Sequence, residues 1–132
     1  MAIAVFSRLL PVASKHNARV IALNCRDYVH STPFSDAELG VLAGQDEDAH
    51  SQFLRERGLE IAKFLYYVIT ELEVTRRASS GGNATSSGGL VLMGWSLGNL
   101  FTVAFIAHLS TYPPEVTMTL EPYLKSLVIY GE

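Results

Sequence analysis

The stretch from Leu90 to Ala107 constrains the fold of this 132-residue chain more than any other. Leu90-Val91-Leu92-Met93 is a continuous apolar run, the pattern of a strand covered on both faces. Gly94-Trp95-Ser96-Leu97-Gly98 interrupts it, and Leu97, Leu100, Val103, Ala104 and Ala107 then recur at helical spacing. The chain must therefore leave a strand and enter a helix within almost no residues. Such a turn strains the backbone at Ser96 and brings the positions two before and two after it close together. Gly94 and Gly98 are both small, as that approach requires. The pattern G-x-S-x-G arises by chance roughly once per 3,000 positions, and here it also has the strand before it and the helix after it that its chemistry demands. Ser96 is the candidate nucleophile. The backbone N–H of Leu97 points to where an oxyanion would form, and the helix N-terminus adds positive potential there.

Other segments fill in an alternating order. Phe6, Leu9, Leu10 and Ala13 predict a helix over 5–14, which Pro11 kinks or ends unless it occupies a first turn. Arg19-Val20-Ile21-Ala22-Leu23 reads as a short strand, and Asn24 to Asp36 as a polar, turn-rich stretch with Asp36 as a turn or cap residue. Ile61, Phe64, Leu65, Val68, Ile69 and Leu72 mark the strongest helix. It begins near Asp46–Asp48, where acids suit the positive end, and Gly58 weakens it by about 1 kcal/mol relative to Ala. Residues 78–89 are rich in Ser and Gly and read as a flexible loop. Pro113-Pro114 stops the helix after Ser96, a turn or helix over Glu121–Lys125 follows, and Leu127-Val128-Ile129-Tyr130 forms a third strand. Strands alternating with helices define an α/β class, with a parallel three-stranded sheet and flanking helices in one domain spanning 1–132.

Composition excludes several functions. A formal net charge of -3 leaves no basic surface for nucleic acid. No apolar run approaches the roughly 20 residues of a membrane span. Cys25 is the only cysteine and reads as packing, which fits a reduced, cytoplasmic setting. Met1 to Lys15 holds Arg8 and Lys15 and no acid, a composition shared with transit peptides. Asn83-Ala84-Thr85 is a glycosylation sequon, relevant only in a secreted protein. No pair of the 4 histidines has metal-ligand spacing, so neither a metal nor a cofactor is expected. His108 follows Ser96 along one helix, about 18 Å away at 1.5 Å per residue. His16 and His50 read as helix-end residues. His30, in a loop after a strand end, is the one histidine placed as a base might be. A flavodoxin-like domain would want a phosphate-binding glycine loop after the first strand, and Asn24–Ser31 has no glycine.

On Gly94–Asn99 the chain resembles the α/β-hydrolase superfamily, more narrowly its fungal members, truncated at both ends. The resemblance extends to Arg19–Asn24, Arg26-Asp27-Tyr28, Ser31-Thr32-Pro33, Phe53-Leu54-Arg55, Arg57–Ala62 and Leu120–Leu124. Val29-His30 stand where a Pro-Gly or glycine-rich turn is usual in that family. The resemblance implies a partial α/β-hydrolase fold with three retained strands. It implies hydrolysis of a carboxylic ester or related acyl bond through an acyl-enzyme on Ser96. It also implies an oxyanion loop before Phe6, and an acid and a histidine after Ser96 in the order Ser, acid, His. The family's histidine would lie well past Glu132, so on this reading the chain is a fragment without it that is inactive alone. The substrate is a small apolar ester, with Trp95 and Leu97 flanking the nucleophile and Phe34 or Tyr28 lining the mouth. The alternative is a hydrolase-like binding module or truncated pseudogene product without catalysis, prone to self-association through exposed core.

Overall fold

Local capping chemistry sets the first half of the chain. The computed structural model describes residues 6–78 and 88–131, and the chain separates into two compact units, Met1–Gln45 and Asp46–Glu132. In the first unit a 3-10 turn at Ser7–Leu9 runs into helix α1, Leu10–Lys15. Pro11 sits in the first turn of α1, where its missing N–H costs nothing. The helix closes on Asn17, whose φ of 51° is left-handed. The Ala18 N–H donates to Ala13 O at 2.9 Å and the Asn17 N–H to Ser14 O at 3.3 Å, the bond pair of a Schellman stop.

The strand expected at Arg19–Leu23 is not formed: these residues carry no strand pairing, and Ile21 and Leu23 are exposed. Its β-branched composition is a preference only. A strand also needs a neighbour for its backbone groups, and among the described residues the sheet has two strands, neither of them here. A tight loop follows, closed by Asp27 N–H to Thr32 O at 3.0 Å and Ser31 N–H to Tyr28 O at 2.9 Å. Next comes helix α2, Asp36–Ala43, which starts at the last residue of the turn-rich stretch and has no counterpart among the expected elements. Ser35 caps it. Its hydroxyl accepts from the Glu38 N–H at 3.3 Å, and Glu38 Oε2 accepts from the Ser35 N–H at 2.8 Å, a reciprocal capping box. Arg26 fastens the loop to this cap, donating from Nη2 to Glu38 at 2.7 Å and to Pro33 O at 2.8 Å.

The second unit is built on helix α3, Glu47–Glu71, with Asp46 accepting from the N–H groups of Asp48 and Ala49 at 3.0 and 3.1 Å. Its buried stripe is Phe53, Gly58, Ile61, Ala62, Leu65, Val68 and Ile69. Arg57 is buried too, its guanidinium over the Phe53 ring and its Nη2 3.0 Å from Glu60. Strand β1, Leu90–Trp95, leads to helix α4, Gly98–Ala107. A 3-10 turn at Leu109–Thr111 and helix α5, Pro114–Leu120, lead back to strand β2, Leu124–Tyr130. The two strands are parallel, Leu92 opposite Leu127 and Trp95 opposite Tyr130, with an irregularity between Leu90 and Val91. The α/β class is thus present with five α-helices and a two-stranded parallel sheet among the described residues.

The core lies where α3 meets α4 and α5. Phe101, Ala104 and Phe105 of α4 are buried there with Tyr112, Val116 and Leu120. This corrects the expected face of α4: of its stripe Ala104 alone is buried, while Ala107 is exposed and Leu97, Leu100 and Val103 are 52%, 45% and 51% exposed. The helix is apolar around most of its circumference. Spacing alone finds a stripe but not which stripe turns inward, and the larger Phe101 and Phe105 rings take the core. The Tyr112 hydroxyl donates to Ala104 O at 3.3 Å and Arg55 O at 3.4 Å. Burial pushes its phenol above the ordinary pKa of 10.0, with the Arg55 guanidinium pulling partly back. The sheet face carrying Val91, Met93, Trp95, Val128 and Tyr130 is exposed. The sequon lies outside the described residues, as does most of the loop over 78–89.

Candidate functional site

Between the last residue of β1, Trp95, and the first of α4, Gly98, stand only Ser96 and Leu97. Ser96 has φ 53°, the left-handed region that disfavours a side chain by about 1–2 kcal/mol. Hydrogen bonds hold the turn. The Asn99 N–H donates to Ser96 O at 2.9 Å, the Leu100 N–H to Leu97 O at 3.1 Å, and the Ser96 N–H to Tyr130 O at 3.3 Å. The Leu97 N–H has no hydrogen-bond partner among the described residues. It belongs with the first N–H groups of α4, which no earlier helical carbonyl can satisfy.

The two glycines differ. Gly94 is buried, and a Cβ there would lie 2.7 Å from Asn99 Oδ1, 2.8 Å from Thr102 Oγ1 and 2.9 Å from Asn99 Cα. Any side chain at 94 would push α4 off the strand. A Cβ on Gly98 would meet nothing within 4 Å. The close approach is therefore between Gly94 and the first turns of α4, not between the two glycines as expected. Trp95 and Leu97 flank Ser96 and are exposed, and the Trp95 ring lies against Gly131.

No imidazole shares a hydrogen bond with Ser96 among the described residues. His108 sits at the C-terminal end of α4, about 18 Å along the helix at 1.5 Å per residue. His50 is half-buried near the start of α3. His16 and His30 belong to the first unit, as do Tyr28 and Phe34. His30 has φ 67° and lies in the Asp27–Thr32 loop. No group of three or more His, Cys, Asp or Glu side chains that could hold a metal occurs among the described residues. Nor, among them, is any helix long and apolar enough to cross a membrane.

Asn99 is a site residue that sequence reasoning passed over. Its Nδ2 donates to Tyr130 O at 3.3 Å and Gly131 O at 3.4 Å. The only local signal was an amide side chain directly after the second glycine, and its partners lie some thirty residues on. No family model, no curated protein and no solved structure matches the chain. The described residues form a parallel βαβ unit with a serine at its strand-to-helix turn.

Proposed function

We propose that this chain carries the nucleophile segment of a serine hydrolase of the α/β-hydrolase type, acting on a small apolar ester or related acyl bond. The supporting observation is the left-handed Ser96 between β1 and α4, beside the unpartnered Leu97 N–H. Ser96 Oγ attacks the acyl carbonyl, and its proton passes to a general base. The oxyanion accepts a hydrogen bond from Leu97 N–H in the field of the α4 N-terminus. The tetrahedral centre collapses, the alcohol leaves with a proton, and an acyl-Ser96 remains for water to cleave. The family order places acid and histidine after the nucleophile. His108, the only histidine after Ser96, is held at the far end of α4. On this reading the 132-residue chain acylates in traces and does not turn over, and its setting is cytoplasmic. Incubation with a fluorophosphonate probe tests it. Labelling that disappears in Ser96→Ala is the expected result, and a folded chain with no Ser96-dependent label refutes a nucleophilic Ser96.

The second reading, a non-catalytic binding module, draws on the apolar surface left open by α4 and the sheet. Leu97, Leu100 and Val103 are exposed on one, Val91, Met93 and Tyr130 on the other. An unlabelled chain that self-associates would favour it.

A further inference from the structure

An Asn in the first turn of a helix commonly serves that helix's own N–H groups. Asn99 instead turns its amide outward, donating from Nδ2 to Tyr130 O and Gly131 O at the end of β2. Its backbone N–H holds Ser96 O at 2.9 Å, while the Ser96 N–H reaches the same Tyr130 O at 3.3 Å. Ser96, Asn99 and the end of β2 therefore close a ring of hydrogen bonds around the turn. The side chain is also packed on the strand that delivers Ser96, since only the missing Cβ of Gly94 leaves room for Asn99 Oδ1. That oxygen is buried and accepts no hydrogen bond among the described residues. Such a group costs about 1–3 kcal/mol. An apolar side chain would avoid that penalty but would also lose both bonds to β2.

We infer that Asn99 is the positioning residue of the Ser96 turn, tying the first turn of α4 to the C-terminal end of β2 and so fixing the direction of Ser96 Oγ. The inference rests on the reading of Ser96 as nucleophile. A non-glycine residue held at positive φ needs outside restraint, and these bonds supply it. Without them Ser96 relaxes toward negative φ, and its Oγ leaves the direction that the left-handed turn gives it. The carbonyl of a bound ester would still find its apolar surroundings, so binding is spared and the chemical step is not.

Trp95, the only tryptophan, gives an independent view of the same junction. A Cβ on Gly131 would lie 2.8 Å from its Cδ1 and Nε1, so its emission senses whether the end of β2 stays in place. The experiment compares wild type with Asn99→Asp, which keeps the shape but replaces the donor by an acceptor, and with Asn99→Ala. Fluorophosphonate labelling is followed as a function of probe concentration, and Trp95 emission is read on the same samples. Both substitutions are expected to lower the maximal labelling rate by at least about tenfold, the loss of a misaligned nucleophile. The half-saturating probe concentration should stay within about twofold, since ground-state binding is untouched. Trp95 emission should shift to the red while the far-ultraviolet dichroism of the helices is retained. A folded Asn99→Asp or Asn99→Ala chain with wild-type labelling rate and wild-type emission overturns the inference. If wild type itself is not labelled, the reading of Ser96 as nucleophile fails. Trp95 emission then decides the tether alone: a red shift in the variants upholds it, and unchanged emission overturns it.

Discussion

His30 and Asp27 adopt φ 67° and 66° within one short loop, a conformation that suits glycine and that Asp and His tolerate better than most residues. The loop is closed at both levels, Asp27 to Thr32 and Tyr28 to Ser31, so neither residue can relax without breaking a backbone bond. The α/β-hydrolase resemblance expected a glycine-rich turn here, and the positive φ at His30 is the physical reason a glycine would suit it. His30→Gly removes about 1–2 kcal/mol of left-handed strain and adds about 0.5–1 kcal/mol of unfolded-chain entropy. The substitution should therefore raise local stability by up to about 1.5 kcal/mol. Slower hydrogen exchange at the Asp27 and Ser31 amides would register it, and faster exchange would show that His30 makes compensating contacts.

Gly58 shows how an element can be legible while its purpose is not. Helix propensity alone makes Gly58 a weakness in α3 of about 1 kcal/mol. In the folded chain a Cβ there would overlap the Tyr112 hydroxyl and come within 2.7 Å of Phe105 N and 2.9 Å of Ala104 C. The missing side chain lets α3 and α4 touch backbone to backbone. Gly58→Ala should therefore lose about 1–3 kcal/mol through overpacking, where propensity predicts a gain, and the shift of the urea midpoint gives the sign. The α3 stripe itself could be read because one arc of that helix is apolar and the rest charged. The face of α4 could not, because both of its arcs are apolar. The Ser35…Glu38 capping box is present in the sequence, but no clear apolar period follows it, so α2 is not predicted from spacing. Arg19–Leu23 had strand composition without a partner, and pairing is a property of two segments. At the turn, Gly94 and Ser96 could be read because their constraint is local. Asn99 could not, because the carbonyls it holds lie at the other end of the βαβ unit.

The distribution of buried side chains across the molecule has a dynamic consequence. Every buried apolar residue among those described, from Phe53 to Leu120, lies in the second unit. Helices α1 and α2 bury no residue. They are held by caps, by the Arg26–Glu38 pair and by turn bonds, each worth about 0.5–2 kcal/mol. The second unit holds Phe105, Leu120 and Val68 fully enclosed. Local opening follows local burial rather than helix content. Amides in α2 should therefore exchange at least about tenfold faster than those of Leu65 and Phe105 at equal intrinsic rates. The Ser96 turn should fall between them, because it borders the exposed sheet face yet is bonded to both β2 and α4. Denaturant added below the main transition should release α1 and α2 first and leave the exchange of α3 unchanged. Equal protection in α2 and α3 would contradict this, and would mean that the first unit gains burial that its own contacts do not supply.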